Sequence, residues 1–386
     1  MTVGNAKKII DPLILNERIL SLIGVWPQYH DHMMFRISVV YYGLFLIMEY
    51  WDFVDCMGNL EMAVMNVLET FVTTTMYMEL FLIARCRKQL NGVVVGMRRD
   101  IADETCFENE EEKRLYFNYN ILSRRINKYS ALLTILNIVV MYVRPVLHLA
   151  TSFHRDNSTI TYQLPFRVHL IFDYNTPRLY ALMYLYQLPV TYIPMYHIAE
   201  IGLIVNTVLH LCAKLSILSY RIRNIQPKPS ERFKDNIRRA VVMHLELTRL
   251  SKTLNDSFRA ILLIELISRG FRLGLVLYVV LIKFSTDPAM AYNFLLQAAI
   301  LIAFLYLYSY IGEQLIYESQ RVGDAFYYIS WPEVTSPDKK ILLICLTNGQ
   351  RKMYIMAGKF YTFSLFGFTG IMNTSLASFS MLRTRM

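Results

Sequence analysis

The charged side chains that interrupt the apolar runs of this sequence are the first groups that could do chemistry. Glu265 and Arg269 are four residues apart, a spacing that brings two side chains together on one face of a helix, and Arg272 adds a second cation nearby. Buried charges of this kind serve either a proton or ion path or an internal ion pair, and we favour the ion pair. Arg144, next to Pro145, leaves the same two options open.

A polar stripe follows one face of an apolar segment nearer the N-terminus. Asn66, Thr70, Thr73 and Tyr77 recur every three or four residues, and Glu69 lies beside them. Such a stripe is costly against lipid, so it faces either a neighbouring helix or a cavity, and the spacing favours neither. Glu69 either hydrogen-bonds to a neighbouring helix, which we favour, or selects the hydroxyl or amine of a ligand.

Aromatic residues and prolines crowd a further segment, at residues 180–194, which contains Tyr184, Pro189, Tyr192 and Pro194. Proline bends a helix and leaves backbone carbonyl groups without a donor. Aromatic side chains with few polar groups suit a cavity for a small, mostly apolar ligand. The alternative is an aromatic belt at the membrane interface.

Sequence motifs of enzymes and metal centres are missing. The chain has no HExxH, Walker, GxSxG or dinucleotide-binding pattern, and its five cysteines include no CxxC pair. His244 and Glu246 are too close in sequence to form a zinc site by themselves. We therefore predict that the protein is not an enzyme, has no cofactor and no metal, and keeps its cysteines as free thiols.

The elements that must carry these residues are membrane-spanning helices. Of the 386 residues, 54% are apolar and only 18% are charged, and residues 289–312 include no Asp, Glu, Lys or Arg. A helix of about 20 apolar residues crosses a hydrocarbon core of roughly 30 Å, and in lipid each span must satisfy its own backbone groups. We predict an all-α membrane protein, a single domain over 1–386, with seven spans. They lie at about 33–52, 62–84, 129–150, 179–211, 258–282, 289–312 and 353–382.

Basic residues alternate between the connecting segments and predict the orientation. The links after spans two and four each carry ten Lys and Arg, whereas those after spans one, three and five carry none, three and one. Because basic loops stay in the cytoplasm, the N-terminus is predicted to be cytoplasmic and the C-terminus extracellular. The basic links account for the net charge of +10, so the charge does not indicate a nucleic-acid partner. The predicted orientation also places the sequon at Asn157 outside, where we predict a glycan.

The start of the chain and the inner ends of the spans support this topology. The first residues lack the apolar core of a signal peptide, so we expect span one to act as the insertion signal. Spans four to seven are expected to continue as helices in the cytoplasm; Pro227 ends the first of these extensions. The extensions, at about 212–257 and 313–350, would form an anchor bundle that holds subunits together.

The last span ends in small hydroxyl residues at helical spacing. Thr374, Ser378, Met381 and Arg385 fall on one face of a helix. Such a face suits either tight helix packing or a water-filled pore. In a symmetric oligomer, Met381 would form a hydrophobic gate that closes by dewetting, so these four are the predicted pore and gate residues.

Two stretches near the C-terminus are similar to insect odorant receptors. Tyr308-Ser-Tyr-Ile-Gly312-Glu313, followed by Glu318-Ser319, resembles the inner end of their sixth span. Ile341-Leu-Leu-Ile, the turn at Gly349-Gln350, and Ser378-Phe-Ser-Met-Leu382-Arg383 resemble their final segment. The similarity covers about the last 80 residues.

This resemblance implies a subunit of a tetrameric ligand-gated cation channel in the plasma membrane of olfactory sensory neurons. A ligand-tuned subunit binds a small volatile organic molecule and assembles with a shared co-receptor subunit, and the last helix of each subunit lines the pore. Besides these partners, only membrane lipid is expected. The chain lacks the long cytoplasmic insertion of the co-receptor, which favours the ligand-tuned subunit. Met381 aligns with the gate position of the family.

The resemblance also implies an odorant pocket in the outer half of the bundle, between spans two, three, four and six. Most of the affinity would come from apolar burial, at about 25 cal/mol per Å². The ligand-binding residues predicted from it are Glu69, Thr70, Thr73, Met141, Tyr142, Pro145, Tyr184, Leu188, Tyr192, Tyr292, Leu295 and Ala299.

Three other functions compete with this prediction. A gustatory-type channel subunit would share the architecture but bind soluble tastants. A G-protein-coupled receptor would have seven spans in the opposite orientation. A transporter would show saturable uptake without channel events, and the lack of an internal repeat disfavours it.

Overall fold

The computed structural model describes residues 11–29, 31–154, 162–169, 176–226 and 231–385 of the chain. Helices dominate this described part, as the sequence predicted. They are α1 (Ile14–Leu22), α2 (His32–Cys56), α3 (Leu60–Ala102), α4 (Glu110–His154), α5 (Pro177–Tyr186), α6 (Tyr192–Arg223), α7 (Glu231–Lys283), α8 (Pro288–Tyr327), α9 (Ser336–Gly349) and α10 (Leu365–Arg385).

Local sequence signals set the start of two long helices. The Asp31 side chain accepts hydrogen bonds from the backbone N–H groups of Met33 and Met34, at 2.9 and 3.1 Å, and so caps α2. Asp287 caps α8 in the same way, followed by Pro288 in the first turn. An acidic cap satisfies the open N–H groups of the first turn, and proline suits that turn because it needs no donor there.

Five helical stretches of the described chain are long and apolar enough to cross a membrane: His32–Cys56, Leu60–Ala102, Glu110–Ala150, Pro177–Arg223 and Met290–Tyr327. These stretches contain predicted spans one to four completely, and they contain predicted span six except for its first residue. Of the two remaining predicted spans, span five lies within α7, and residues 365–382 of span seven lie within α10. Predicted span five carries four charged residues, which lowers its hydropathy.

The last predicted span begins too early. Residues 353–364 are not helical; they hold a short antiparallel pair, β1 (Met356–Ala357) and β2 (Tyr361–Thr362). Gly358, between the two strands, has a φ of 61°, a left-handed conformation that glycine adopts without strain. The chain therefore reverses before it enters α10, whose first residue is Leu365.

The helical extensions that the sequence predicted beyond spans four, five and six are present. α6 continues to Arg223 and ends before Pro227, and α8 continues to Tyr327. α7 begins at Glu231 and runs unbroken to Lys283. α8 packs against both α7 and α9, and α10 packs against α7 and α8.

Contacts divide the described chain into two compact units. The first unit holds residues 11–14, 85–124 and 203–385, and the second unit holds residues 15–84 and 125–202. Residues 203–213 of α6, in the first unit, are all buried. The polar members of this stretch, Asn206, Thr207 and His210, are hydrogen-bonded inside the protein, as buried polar groups must be.

Candidate functional site

A cluster of aromatic and aliphatic side chains forms the core of the second unit. Its buried members come from α2, α3, the 3-10 turn Leu188–Thr191, α6 and the segment 162–169. Half-buried aromatic residues surround them. The buried members are Tyr42, Phe45, Met76, Val168, Val190 and Ile193, and the surrounding residues include Tyr41, Tyr77, Phe166 and Tyr186; we call these ten residues the aromatic cluster.

Edge-to-face contacts order the rings of the aromatic cluster and extend it to α4. The ring of Phe166 meets Phe45 at a centroid distance of 5.9 Å and Tyr142 at 6.2 Å. Tyr142 also meets Tyr184 at 5.5 Å. These geometries place the positive edge of one ring on the negative face of another, so the rings attract beyond simple burial. The sequence predicted Tyr142 and Tyr184 as binding residues, and they are in contact.

A break between α5 and α6 exposes backbone carbonyl groups to this cluster. Pro189 cannot donate a backbone hydrogen bond, and the chain passes through the 3-10 turn before α6 begins. Phenol groups donate to two carbonyls of the break: Tyr41 donates to Tyr186 at 2.6 Å, and Tyr142 donates to Gln187 at 2.5 Å. The Gln187 carbonyl also accepts from the backbone N–H of Val190 at 3.0 Å. The bend that the sequence predicted from its prolines is confirmed, and tyrosines bond to its carbonyls.

The segment 162–169 is held by both backbone and charged contacts. The amide side chain of Gln187 bonds to both backbone groups of Phe166, accepting from N–H at 3.0 Å and donating to the carbonyl oxygen at 2.9 Å. Arg167 pairs with Asp52 of α2 at 3.0 Å, and His169 pairs with Asp55. Phe166 and Val168 are thereby kept in the aromatic cluster.

The polar stripe of α3 is a contact between helices. Thr73 donates to the carboxylate of Glu49 at 3.2 Å, and Asn66 donates to Asp52 at 2.8 Å, so the stripe is paired with α2. Thr70 is buried and donates to Asn66 at 2.9 Å. The sequence left the choice between a helix contact and a cavity open; these bonds favour the helix contact.

A cavity of about 10 Å³ lies in the second unit. This volume holds about one water molecule. Thr73 is one of the predicted ligand-binding residues and lines the cavity. The other lining residues are Ile23, Tyr42, Met76, Tyr77, Leu80, Ile193 and Tyr196.

The remaining predicted binding residues are scattered. In the second unit, Pro145 is buried, Met141 is half-buried, and Tyr192 donates to the carbonyl of Ile19 at 3.4 Å. Glu69 and Leu188 of the same unit are exposed. In the first unit, Tyr292, Leu295 and Ala299 are exposed on α8. A role in ligand binding stays a prediction for these residues.

Sequence reasoning missed the α2 residues of the aromatic cluster. Tyr41, Tyr42 and Phe45 contribute to it, but span one was not expected to face the ligand. The Tyr41-Tyr42 pair in an otherwise aliphatic run was a usable signal. Gln187 was also missed as an anchor, because its partner, Phe166, lies in a loop whose path spacing cannot predict.

The charged residues of α7 form an internal ion pair, as the sequence predicted. Arg269 pairs with Glu265 at 2.5 Å, and both side chains are buried. The Arg269 guanidinium also lies over the ring of Phe304, at 4.9 Å from its centroid. The ion pair lies within α7, and the contact of Arg269 with Phe304 joins α7 to α8 within the first unit. Together these contacts favour a structural role over an ion path. The five cysteines are free thiols, as predicted.

The start of α10 is fixed to α8. Glu313 accepts a hydrogen bond from the backbone N–H of Leu365 at 3.0 Å, which caps α10. Gly312 lies against the backbone of Phe363, where a Cβ atom would overlap the Phe363 carbonyl oxygen. The motif that resembled insect odorant receptors therefore positions the last helix.

The predicted pore residues lie on α10 in the first unit. Thr374 is exposed, and its hydroxyl donates to the carbonyl of Gly370 at 3.0 Å. The side chains of Ser378, Met381 and Arg385 lie outside the described part of the structure, and Asn157 lies outside the described residues altogether.

A cavity of about 550 Å³ in the first unit was not predicted. Charged residues line it, and several of them pair with acidic groups nearby. Lys214 bonds to Asp100 at 2.5 Å, and Arg221 bonds to Glu112 at 2.7 Å. The cavity thus has mixed charge and no strong preference for one sign of ligand.

Comparison with known proteins gives one consistent family. Residues 59–376 match the model of the family described as 7tm Odorant receptor. Odorant receptor 9a of Drosophila melanogaster is 20% identical over 330 residues, which are 82% of this chain and 79% of that protein. Odorant receptor Or2 of Anopheles gambiae is 25% identical over 140 residues, which are 36% of each chain. The Odorant receptor coreceptor of Drosophila melanogaster is 25% identical over 142 residues, 37% of this chain and 29% of that protein.

The fold has a solved counterpart. The insect olfactory receptor OR5 from Machilis hrabei, in complex with eugenol, superposes with a TM-score of 0.75 over 97% of this chain and 98% of that chain, at 10% identity. The same receptor in a second structure also gives a TM-score of 0.75, over 95% of this chain and 96% of that one. At this identity the likeness confirms the all-helical membrane fold.

Proposed function

Because the chain belongs to the 7tm odorant receptor family, whose model matches residues 59–376, we propose that it is the odorant-binding subunit of a ligand-gated, non-selective cation channel. The observation that carries this proposal is the aromatic cluster, where tyrosine hydroxyls donate to backbone carbonyls of the α5–α6 break. Apolar walls with a few polar groups are the general composition of small-molecule sites.

The ligand would be a small volatile organic molecule that enters the aromatic cluster. Ligand pockets usually measure about 300–1,000 Å³, so a cavity of about 10 Å³ must expand before such a molecule fits. A molecule of about ten heavy atoms can gain at most about 15 kcal/mol, and micromolar affinity needs about 8 kcal/mol. A surplus of this size would offset the displacement of aromatic side chains.

The phenol groups would provide the polar selectivity. Tyr41 and Tyr142 each donate to a carbonyl group of the α5–α6 break. A ligand hydroxyl could exchange for one of these bonds at small net cost, because it can accept from the tyrosine and donate to the carbonyl that the tyrosine leaves. A ligand carbonyl or ether oxygen can only accept, so it would leave that carbonyl without the donor. An aliphatic ligand would have to leave both bonds intact.

Ligand binding would act on the pore through the helices. α3, α4 and α6 each contribute residues to both units, so a change around the aromatic cluster is carried along continuous helices. In the first unit, the Glu313–Leu365 hydrogen bond links α8 to α10. A ligand can open a gate only to the extent that it binds the open state more tightly than the closed state.

We assign the partners and location on the same basis. The channel would be a heterotetramer with the odorant receptor co-receptor in the plasma membrane of olfactory sensory neurons. The N-terminus would be cytoplasmic, and Asn157 would be glycosylated outside. The links after spans two and four each carry ten Lys and Arg, whereas those after spans one, three and five carry none, three and one, and this difference supports the orientation.

The test is current in cells that express this chain with and without an insect co-receptor, across a panel of volatile compounds. We expect a cation current evoked by a subset of the panel, and only in the co-expressing cells. A robust current from this chain alone would refute the need for a co-receptor. Saturable uptake without channel events, in cells with the protein at the surface, would refute the channel function.

The pore assignment has its own test in Met381→Ala. Removal of the side chain from a hydrophobic gate should raise basal current or alter ion permeability, because the constriction then wets more easily. The rank order of odorants should stay the same. A changed ranking with unchanged permeation would place Met381 outside the pore.

A further inference from the structure

Three metal-ligating side chains meet inside the second unit, about one helical turn from Met76 and Ile193 of the aromatic cluster. Glu79 belongs to α3, and His197 and Glu200 belong to α6. One ligand atom from each residue lies within 4.8 Å of the other two, and His197 Nδ1 is 3.2 Å from Glu79 Oε2. His197 and Glu200 are three residues apart, which puts both on the face of α6 that meets α3.

This arrangement is close to the geometry of a bound metal ion. A tetrahedral zinc ion has ligand bonds of about 2.0–2.2 Å, so its ligand atoms are about 3.4 Å apart. The nitrogen of His197 and the oxygen of Glu79 already have this separation. A carboxylate oxygen of Glu200 lies within 4.8 Å of a ligand atom of each of the other two residues.

All three side chains of this cluster are largely shielded from solvent. Glu79 is 0% exposed, Glu200 is 1% exposed, and the His197 side chain is 14% exposed. Buried carboxylates in proteins are normally paired or coordinate a metal, and a cation placed between these two would meet both at once. One divalent cation, two carboxylates and a neutral imidazole add up to zero charge.

We propose that Glu79, His197 and Glu200 bind a divalent transition-metal ion, with Zn²⁺ as the best match. Imidazole nitrogen combined with carboxylate oxygen suits Zn²⁺, whereas Ca²⁺ and Mg²⁺ need six or more oxygen ligands. Three protein ligands leave the fourth tetrahedral position to a water molecule. The ion would join α3 to α6 and stabilise the second unit.

The test uses the purified full-length chain, stripped with a chelator and then titrated with Zn²⁺. We expect about one zinc ion per chain by elemental analysis, with a higher thermal unfolding midpoint. His197→Ala and Glu200→Gln should each weaken zinc binding by more than about a hundredfold. Loss of an outer-shell partner alone costs 10–100-fold, and these residues are direct ligands.

Glu49→Gln is the matched control. Glu49 is also a buried carboxylate of the second unit, but it accepts from Thr73 at 3.2 Å and lies outside the cluster. This variant should keep its zinc. Glu200→Gln preserves the shape of the side chain, and gel filtration would show that each variant is folded.

Two results would overturn the proposal. One is folded wild-type protein that takes up no more zinc than Glu200→Gln, which would mean that the cluster shares a proton instead. The other is equal loss of zinc in Glu49→Gln. Neither readout depends on odorant-evoked current, so the channel proposal can fail or succeed separately.

Discussion

At the scale of single residues, the second unit combines tight apolar packing with a few hydrogen bonds that have defined partners. Met76 is 9% exposed and lines the small cavity, whereas Met78, two residues later on α3, is 51% exposed. Gln187 is fully buried and holds the backbone of Phe166. These contrasts allow matched pairs of variants.

Met76→Ala is expected to change odorant size selectivity. Removing this side chain enlarges the cavity, so a bulkier odorant should activate at a concentration about tenfold lower, a difference of about 1.4 kcal/mol. The same change should cost about 2–5 kcal/mol of stability. Dose–response curves for a homologous series of volatiles measure the first effect.

Met78→Ala is the control for this variant, because Met78 is exposed and should leave the size preference unchanged. Identical dose–response curves for Met76→Ala and Met78→Ala would show that the cavity beside Met76 is not part of the odorant site.

Gln187→Leu is expected to loosen the segment 162–169. It removes two hydrogen bonds to Phe166, each worth about 1 kcal/mol, and leaves two backbone groups unsatisfied. The odorant concentration for half-maximal current should rise about tenfold, at unchanged surface expression. Gln163→Leu, at an exposed position of the same segment, should behave like the wild type. Equal effects of both changes would refute the anchoring role of Gln187.

At the scale of elements, the contact between the start of α10 and α8 is the one through which the proposed gating would act most directly. Gly312 allows the approach of the Phe363 backbone, and Glu313 caps the helix that follows. By contrast, a Cβ atom at either Gly270 or Gly274 of α7 would meet nothing within 4 Å. Within the described chain, neither of these two glycines lies at a close helix contact.

Gly312→Ala is expected to abolish or strongly reduce odorant-evoked current. The added methyl group meets backbone, which cannot move as easily as the end of a side chain, so α10 must shift from its seat. Current normalised to surface protein is the measurement. Gly270→Ala should conduct normally, because the space is open and alanine favours helix by about 1 kcal/mol over glycine. Normal current in Gly312→Ala would contradict a role of this contact in gating.

At the scale of the whole molecule, the orientation in the membrane is the main prediction. An epitope tag at the N-terminus should be accessible only after the cells are permeabilised. Removal of N-linked glycans should increase the gel mobility of the wild type and leave Asn157→Gln unchanged. An N-terminal tag that is accessible on intact cells would instead support the G-protein-coupled topology.

The sequence alone determined the family, the helical class and the positions of most spans, but not that α3 continues to Ala102 or that α4 begins at Glu110. Composition and uninterrupted apolar runs reveal membrane helices, because lipid forces each span to satisfy its own backbone groups. The Glu265–Arg269 pair was also predictable, because both partners lie on one helix and spacing sets their distance.

Only the tertiary structure decided which residues from separate helices meet. Glu79 and His197 are far apart in sequence yet 3.2 Å apart in space, so no local pattern could predict their cluster. Phe166 enters the aromatic cluster because Gln187 holds a loop whose path periodicity does not encode. α10 begins at Leu365 and not at the predicted residue 353, because Gly358 reverses the chain before the helix. Residues 353–364 are mostly apolar, so the sequence pattern did not distinguish this turn from a membrane span.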